Sequence, residues 1–419
     1  MRYIERHVEQ LIKRLNGKKD VLILTGSRQV GKSTMLRMSF KEHEYVTLDI
    51  PSVFVRAKES PLAFVNQFDK VIIDEIQKAP ELFHYIKAEV DEAKFRRLES
   101  GAATHGARFI LTGSQIFGLM ENVTESLTGR AAIIQMCGLS KRELNGSVFV
   151  EPFVPTLEQL LKKKKNVVPY DYKNIIETIH KGSYPELYQS PSDLTDWKIF
   201  FDSYIKTYIE KDVRRIANIQ SEVSFMKFLR ATAARTGEQL NLTGIAEVVG
   251  KDVMTIKHWL SILQTSGLVY LLEPYYNNFN KRLVKTPKLY FMDTGLACYL
   301  CGWNTPEQLT TGAVWGHIFE TWVVSEVIKS YYNDGRTLLP LYYYRDKEKR
   351  EVNLIIEESG TLYPVEIKTT SDPNKALINT FNVLQKIPDR QIGEGAVICL
   401  CKDILPLSDN NRAIPVDMI

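Results

Sequence analysis

Residues Gly26-Ser27-Arg28-Gln29-Val30-Gly31-Lys32-Ser33 satisfy the pattern G-x-x-x-x-G-K-[ST] in full. The run Val21-Leu22-Ile23-Leu24 before it reads as a buried strand, and Thr34, Met35 and Leu36 after it open a helix. A strand, a glycine-bearing turn and a helix in that order commit the chain to a βαβ beginning. The glycines let the backbone wrap closely enough for its N–H groups to face phosphate oxygens. The helix start near Lys32 adds its positive end. In this pattern Lys32 reaches β- and γ-phosphates as a mobile charge, and the Ser33 hydroxyl ligates Mg²⁺. Gly26, Ser27, Arg28, Gln29, Val30, Gly31, Lys32, Ser33 and Thr34 are therefore the expected phosphate cradle.

Around this loop the first 150 residues alternate helical patterns with short apolar runs. Ile4, Val8, Leu11, Ile12 and Leu15 share one helical face, and runs at 45–48, 71–73, 109–111 and 131–136 read as further strands. Five strands with helices between them predict a mostly parallel sheet covered on both faces. The run 71–73 ends in Asp74-Glu75. Asp74 is expected to anchor the Mg²⁺ shell, and Glu75 to polarise an attacking water. The run 109–111 leads to Thr112-Gly113-Ser114, where Ser114 or Gln115 could sense a γ-phosphate or simply cap a turn. Arg130, before the run 131–136, has two readings: stabilising transition-state charge, in cis or toward a neighbouring subunit, or forming a surface salt bridge.

With 419 residues the chain has room for two to four domains. Its 44% hydrophobic and 25% charged residues exclude a disordered or collagen-like chain. The net charge is 54 − 50 = +4, too near neutral to imply nucleic acid by itself. Residues 1–19 lack the apolar core of a signal peptide, and no apolar run approaches the ~18 residues of a membrane helix. Five cysteines, an odd and sparse set, suit a reducing compartment. The expectation is a cytoplasmic protein without membrane contact.

The lysine run 162–165 reads as a solvated loop, and 175–219 as helical, with Tyr204, Tyr208 and Asp212 along one face. Further on, Thr243 is a candidate N-cap, Gly250 a helix end, Asp252 the start of a second helix, and Gly267 the opening of a strand at 268–272. That order is a helix-turn-helix with a wing. Its recognition helix, 251–264, offers Lys251, Thr255, Lys257 and His258 to a groove. Asn280, Lys281, Arg282, Lys285 and Lys288, with Tyr275, Tyr276 and Phe279 nearby, form a basic, aromatic-bearing wing. Such a wing suits DNA phosphate contact; docking of a protein is the competing reading.

Toward the C-terminus a helix at 313–331 precedes strands at 341–344, 352–356 and 362–367. Glu320 on the helix, Asn353 on a strand and Glu366-Ile367-Lys368 on the next follow the layout of a restriction-endonuclease-like metal site. Asn353 supplies only a neutral carbonyl, so metal affinity is expected to fall, and Glu351 on the same strand face is the one candidate to compensate. Cys298 and Cys301, with Cys399 and Cys401, have zinc-like spacing but lie in apolar patterns that suit core packing.

The phosphate loop, Ile-Asp-Glu-Ile-Gln-Lys at 73–78, Leu-Thr-Gly-Ser-Gln at 111–115 and Leu-Thr-Gly-Arg at 127–130 resemble one group. Lys-Leu-Tyr-Phe-Met-Asp-Thr-Gly-Leu at 288–296 and Tyr344-Arg345 extend the match through most of the chain. The group comprises prokaryotic AAA-superfamily ATPases joined to a C-terminal domain of unknown function, DUF4143. The resemblance implies ATP binding, hydrolysis and a nuclease-like C-terminal fold; relatives usually carry Asp at the position of Asn353. The resulting expectation is an α/β protein with four parts. They are an AAA-type P-loop domain at 1–150, a helical linker at 151–220, a winged helix at 221–290 and an inactive nuclease-like domain at 291–419. Its function would be that of an ATP- and Mg²⁺-dependent switch acting on DNA, with assembly into a homo-oligomer open. A metal-dependent nuclease and a nucleotide-gated protein-binding module without turnover are the alternatives.

Overall fold

The computed structural model describes residues 3–101, 106–113, 127–164, 171–189, 193–207, 221–276, 285–312 and 314–419. Its N-terminal part is a five-stranded sheet of β1 (Val21–Thr25), β2 (Glu44–Thr47), β3 (Val71–Asp74), β4 (Phe109–Gly113) and β5 (Ala131–Gln135). All pairings are parallel, and the spatial order is β2-β3-β4-β1-β5. Side chains alternate along each strand, so Val21, Ile23, Val71 and Ile73 face one side and Leu22, Leu24 and Ile72 the other. The first set packs under α3 (Pro51–Glu59), α4 (Pro61–Asn66) and α5 (Leu82–Ser100); the second packs under α1 (Val8–Asn16) and α2 (Lys32–Ser39). Burial on both faces explains why these strands read as continuous apolar runs.

The described helices of the segment 151–220 pack in two directions. Within it α6 (Leu157–Lys164) lies against Val416–Met418, with Lys163 Nζ donating to the Met418 carbonyl at 3.2 Å. By contrast α7 (Tyr172–Lys181) and α8 (Leu194–Tyr204) join the elements that follow. These are α9 (Glu222–Ala233), α10 (Leu242–Val249), α11 (Val253–Thr265) and an antiparallel ribbon of β6 (Val269–Leu272) and β7 (Lys288–Phe291). Asn241, not Thr243, caps α10, because its side chain accepts from the Gly244 amide. Gly250, at φ 72°, ends that helix, and Asp252 caps α11 by accepting from the Thr255 amide.

After α12 (Thr294–Cys301), the long helix α13 (Trp315–Asn333) is buried almost throughout. It covers one face of a mixed sheet of β8 (Leu341–Arg345), β9 (Glu351–Glu358), β10 (Thr361–Ile367), β11 (Gln391–Ile392), β12 (Gly395–Cys399), β13 (Leu405–Pro406) and β14 (Asn411–Pro415). A single cluster of buried apolar side chains runs from α1 and α2 through α7–α12 to α13 and this sheet. Polar bonds reinforce it: Glu326 of α13 accepts from the Lys141 amide at 2.7 Å, and Lys329 donates to the Leu139 carbonyl at 3.1 Å.

The motif at 288–296 sits where these parts meet. Asp293 Oδ2 accepts from the amide and hydroxyl of Ser183 at 2.6 and 2.7 Å, while Oδ1 accepts from the Leu296 amide at 2.6 Å and caps α12. Burial pushes the Asp293 carboxyl up, eased by those donors. Gly295 is required because a Cβ there would stand 2.6 Å from the Lys181 carbonyl oxygen. Ser183 in turn accepts from the Leu139 amide at 2.7 Å, just beyond β5. Asp293→Ala would strand three buried donors, so urea denaturation should show a loss of about 2–4 kcal/mol. Asp293→Asn, which keeps an acceptor oxygen, should lose less.

Candidate nucleotide-binding site

The loop after β1 is shaped by close approach. Gly26 has φ 146°, and a Cβ there would lie 2.1 Å from the Met136 carbonyl oxygen. Gln29 (φ 62°) and Gly31 (φ 92°) are left-handed and turn the backbone into α2, whose first residue is Lys32. Arg6 braces the loop from outside it: its guanidinium donates to the Val30 carbonyl at 2.7 Å and to the Cys137 carbonyl at 2.8 Å. Glu143 lies 3.2 Å from Arg6 Nε. Burial pushes the Glu143 carboxyl up, but Arg6 and the amides it accepts from outweigh this and hold it low.

Asp74 gathers the polar end of the sheet. Its Oδ2 accepts from Ser33 Oγ at 2.7 Å and from the Tyr45 hydroxyl at 2.6 Å. Oδ1 accepts from Thr112 Oγ1 and from the Glu75 amide, each at 3.1 Å. The insertion of β4 between β3 and β1 is what delivers Thr112 to this carboxylate. Glu75 is held at φ 57°, and its side chain accepts from Gln77 Nε2. Burial raises the Glu75 carboxyl, with Arg28 acting in the opposite direction.

Lys32 is buried, and its ammonium donates to the Gly26 and Ser27 carbonyls at 2.9 Å each. Burial pulls its pKa down to about 8, against the pull of Glu75 and Asp74. A buried ammonium held by two carbonyls is suited to a polyphosphate, whose charge would offset that desolvation. Lys32, Ser33, Thr34, Arg28 and Glu75 line one cavity of about 620 Å³, a size suited to a nucleotide. Pro185, Glu186, Gln189 and Thr207, from beyond the five-stranded sheet, complete its wall. The Ser33 hydroxyl and Asp74 are the protein oxygens that could hold Mg²⁺, which takes few protein ligands and completes its shell with water and phosphate.

Several expected residues sit elsewhere. Arg130 precedes β5, which pairs in parallel with β1, so it lies at the end of the sheet opposite the phosphate loop. Five residues of strand separate them, about 16 Å, which removes the cis role. Arg130 instead grips Asp91 with two bonds of 2.6 and 2.9 Å, the salt-bridge reading. Lys288 leaves the basic wing: it is 3% exposed and paired with Glu320 and Glu351. Tyr275 is also buried. Lys257 and Lys285 are exposed; Ser114, Gln115, Lys281, Arg282, Asn280, Phe279, Tyr208 and Asp212 lie outside the described residues.

At the C-terminal cluster, Glu320, Asn353, Glu366 and Lys368 are brought together. Asn353 Nδ2 donates to Glu320 Oε2 at 3.0 Å, its Oδ1 accepts from the Ile367 amide at 3.0 Å, and Lys368 lies 2.7 Å from Glu366 Oε1. An Asp at 353 would set a carboxylate oxygen against Glu320, so Asn suits this packing. Glu351 does not compensate as a free ligand, since Lys288 at 2.5 Å and Arg345 at 3.1 Å already engage it. Among the described residues no group of three or more His, Cys, Asp or Glu side chains is arranged to hold a metal ion. Cys298 is buried and Cys301 partly so, and burial pushes both thiols up.

Sequence reading missed Tyr45, Thr112 and Arg6. Tyr45 and Thr112 were legible only as strand residues. The capping box Ser140–Glu143 was present as the pattern Ser-x-x-Glu and could have signalled the buried anchor for Arg6.

Comparison with known proteins agrees with this architecture. Residues 18–145 match the family described as AAA domain, and 315–419 match a domain of unknown function, DUF4143. Residues 172–307 match another domain of unknown function, DUF8612. The chain therefore joins an AAA domain to a C-terminal DUF4143 domain, and its N-terminal fold is that of nucleotide-binding ATPases. It is 26% identical over 403 residues to the uncharacterized proteins Rv2008c of Mycobacterium tuberculosis and Mb2031c of Mycobacterium bovis, covering 95% of this chain and 80% of each of them. Among solved structures it is similar to the Walker-type ATPase of Pyrococcus abyssi, with 14% identity and a TM-score of 0.42 over 71% of this chain and 96% of that one. The Aeropyrum pernix ORC2 protein follows with 12% identity and a TM-score of 0.35, covering 73% and 92%. No helix among the described residues is long and apolar enough to cross a membrane.

Polyphosphate binding should return the depressed Lys32 pKa toward its ordinary value. The sign is therefore proton uptake: calorimetry in buffers of different ionisation enthalpy should show a substantial fraction of a proton taken up per ATP near pH 8.5, and almost none at pH 6.5. Arg130→Ala, remote from the loop, should keep that behaviour.

Proposed function

We propose that this protein is an ATP-hydrolysing switch that couples nucleotide state to its helical and C-terminal parts. The observation that carries the reading is the shared cavity: Lys32, Ser33 and Glu75 open onto the same space as Pro185, Glu186, Gln189 and Thr207, which belong to another part of the chain. In this reading Lys32 and the amides of residues 26–33 bind the triphosphate. Ser33 and Asp74 hold Mg²⁺, which when bound neutralises charge on the phosphate oxygens. Glu75 orients a water and takes its proton, a role its burial-raised pKa favours.

Two close approaches support coupling. A Cβ on Gly31 would lie 3.6 Å from Pro185 Cγ, and one on Gly267 would lie 3.9 Å from the Ser27 amide. The phosphate loop thus lies beside both the 185–188 turn and the approach to ribbon β6–β7. A change in loop conformation would be felt at α11 and the ribbon without an intermediary.

We read α9–α11 with that ribbon as a winged helix, the four-part division of the chain as its working units, and the cytoplasm as its setting. DNA contact would run through Lys257 and Lys285 with Lys281 and Arg282. A protein partner is favoured by a different observation: Val253 and Met254, at the exposed start of α11, are 39% and 73% accessible. In a homo-oligomer Arg130 could serve a neighbouring site once released from Asp91.

Glu75→Gln should hold ATP with affinity near wild type while phosphate release falls by about 10²-fold or more, and Lys32→Ala should lose binding itself. Turnover unchanged by Glu75→Gln would leave the nucleotide-gated binding module without hydrolysis. DNA retention present at 50 mM salt and lost at 200 mM would select nucleic acid over a protein partner.

A further inference from the structure

The C-terminal cluster is built around a side chain that comes from outside its own sheet. Lys288 heads β7, in the ribbon that begins against the phosphate loop, yet its ammonium lies 2.8 Å from Glu320 Oε1 on α13 and 2.5 Å from Glu351 Oε1 on β9. The Tyr290 hydroxyl donates to the same Glu320 oxygen at 2.6 Å, and the Tyr343 ring sits 5.7 Å from the ammonium. Burial opposes the charge on Lys288, but Glu320 and Glu351 more than offset it and hold its pKa high. Close by, Glu366 is 6% exposed, and its Oε2 is buried without a hydrogen-bond partner.

We propose that Lys288 is the tethered counter-ion of this carboxylate cluster, binding Glu320 and Glu351 as a divalent cation otherwise would, and so clamping the ribbon to the C-terminal sheet while closing the cluster to metal. The chemistry supports it. Oxygen-only donors of this kind attract hard cations such as Mg²⁺ or Mn²⁺, and two carboxylates held this close, Glu320 buried and Glu351 half-buried, need positive charge between them. A lysine on a strand supplies one charge and cannot exchange with solvent ions while β7 stays paired with β6. The inference does not depend on nucleotide binding, because none of these groups lines the nucleotide cavity.

The test uses the full chain without nucleotide, followed by thermal unfolding and by Mn²⁺ counting with electron paramagnetic resonance. Lys288→Met should lower Tm by about 5–10 °C. Millimolar Mn²⁺ should recover much of that loss, with one more bound ion than in wild type. Lys288→Met combined with Glu320→Gln, which removes one charge of each sign, should melt above the single variant and show no recovery with Mn²⁺. If Lys288→Met alone does not fold, the double variant still decides: the proposal requires it to fold. A Lys288→Met protein that melts like wild type, a loss that Mn²⁺ does not repair, or a wild type that binds the same extra ion would each overturn it.

Discussion

Four donors from four separate segments converge on the two oxygens of Asp74, and the arrangement of the nucleotide site rests on that convergence. Ser33 comes from the start of α2, Tyr45 from β2, Thr112 from β4 and the Glu75 amide from the turn after β3. Each of these bonds satisfies a polar group at the edge of a dry sheet. Together they set the distance between the phosphate loop and the acidic strand tip. An anionic acceptor strengthens every bond it makes, so the carboxylate orders its neighbours more firmly than a neutral side chain would. The desolvated Lys32 sits beside this hub, and burial pulls its pKa down further than Glu75 and Asp74 raise it.

The same economy appears at the motif 288–296, which runs along the joint between the parts of the chain. One end, Lys288, reaches the C-terminal carboxylates. The other end, Asp293 to Gly295, grips the 181–183 turn that also bonds the strand leaving the N-terminal sheet. Pairing of β7 with β6 and the capping of α12 by Asp293 hold the backbone of this segment in place.

Much of the fold was legible because it follows from local pattern. Apolar runs bounded by turns located all five N-terminal strands to within a residue or two. The strands at 341–345, 351–358 and 361–367 emerged in the same way. The four C-terminal strands that follow, two of them only two residues long, carried too little periodicity to be found. At the site, Lys32, Ser33, Asp74 and Glu75 were readable as a motif. Arg130 was left between two readings, and Lys288 was placed in the basic wing, because a basic residue looks the same in sequence whether it faces a phosphate, Asp91 or a buried glutamate.

The sequence by itself marked the turns of the phosphate loop at Gly26 and Gly31, since glycine is what such a backbone permits, though not the left-handed Gln29 between them, and it determined which strand faces are apolar. Tertiary structure alone decided that β4 lies between β1 and β3, that Tyr45 and Thr112 share Asp74, and that Lys288 belongs to the C-terminal cluster. The reason is physical. Backbone conformation and amphipathic period are properties of neighbouring residues, whereas the partner of a buried charge is chosen by which distant segment the packing brings within about 3 Å.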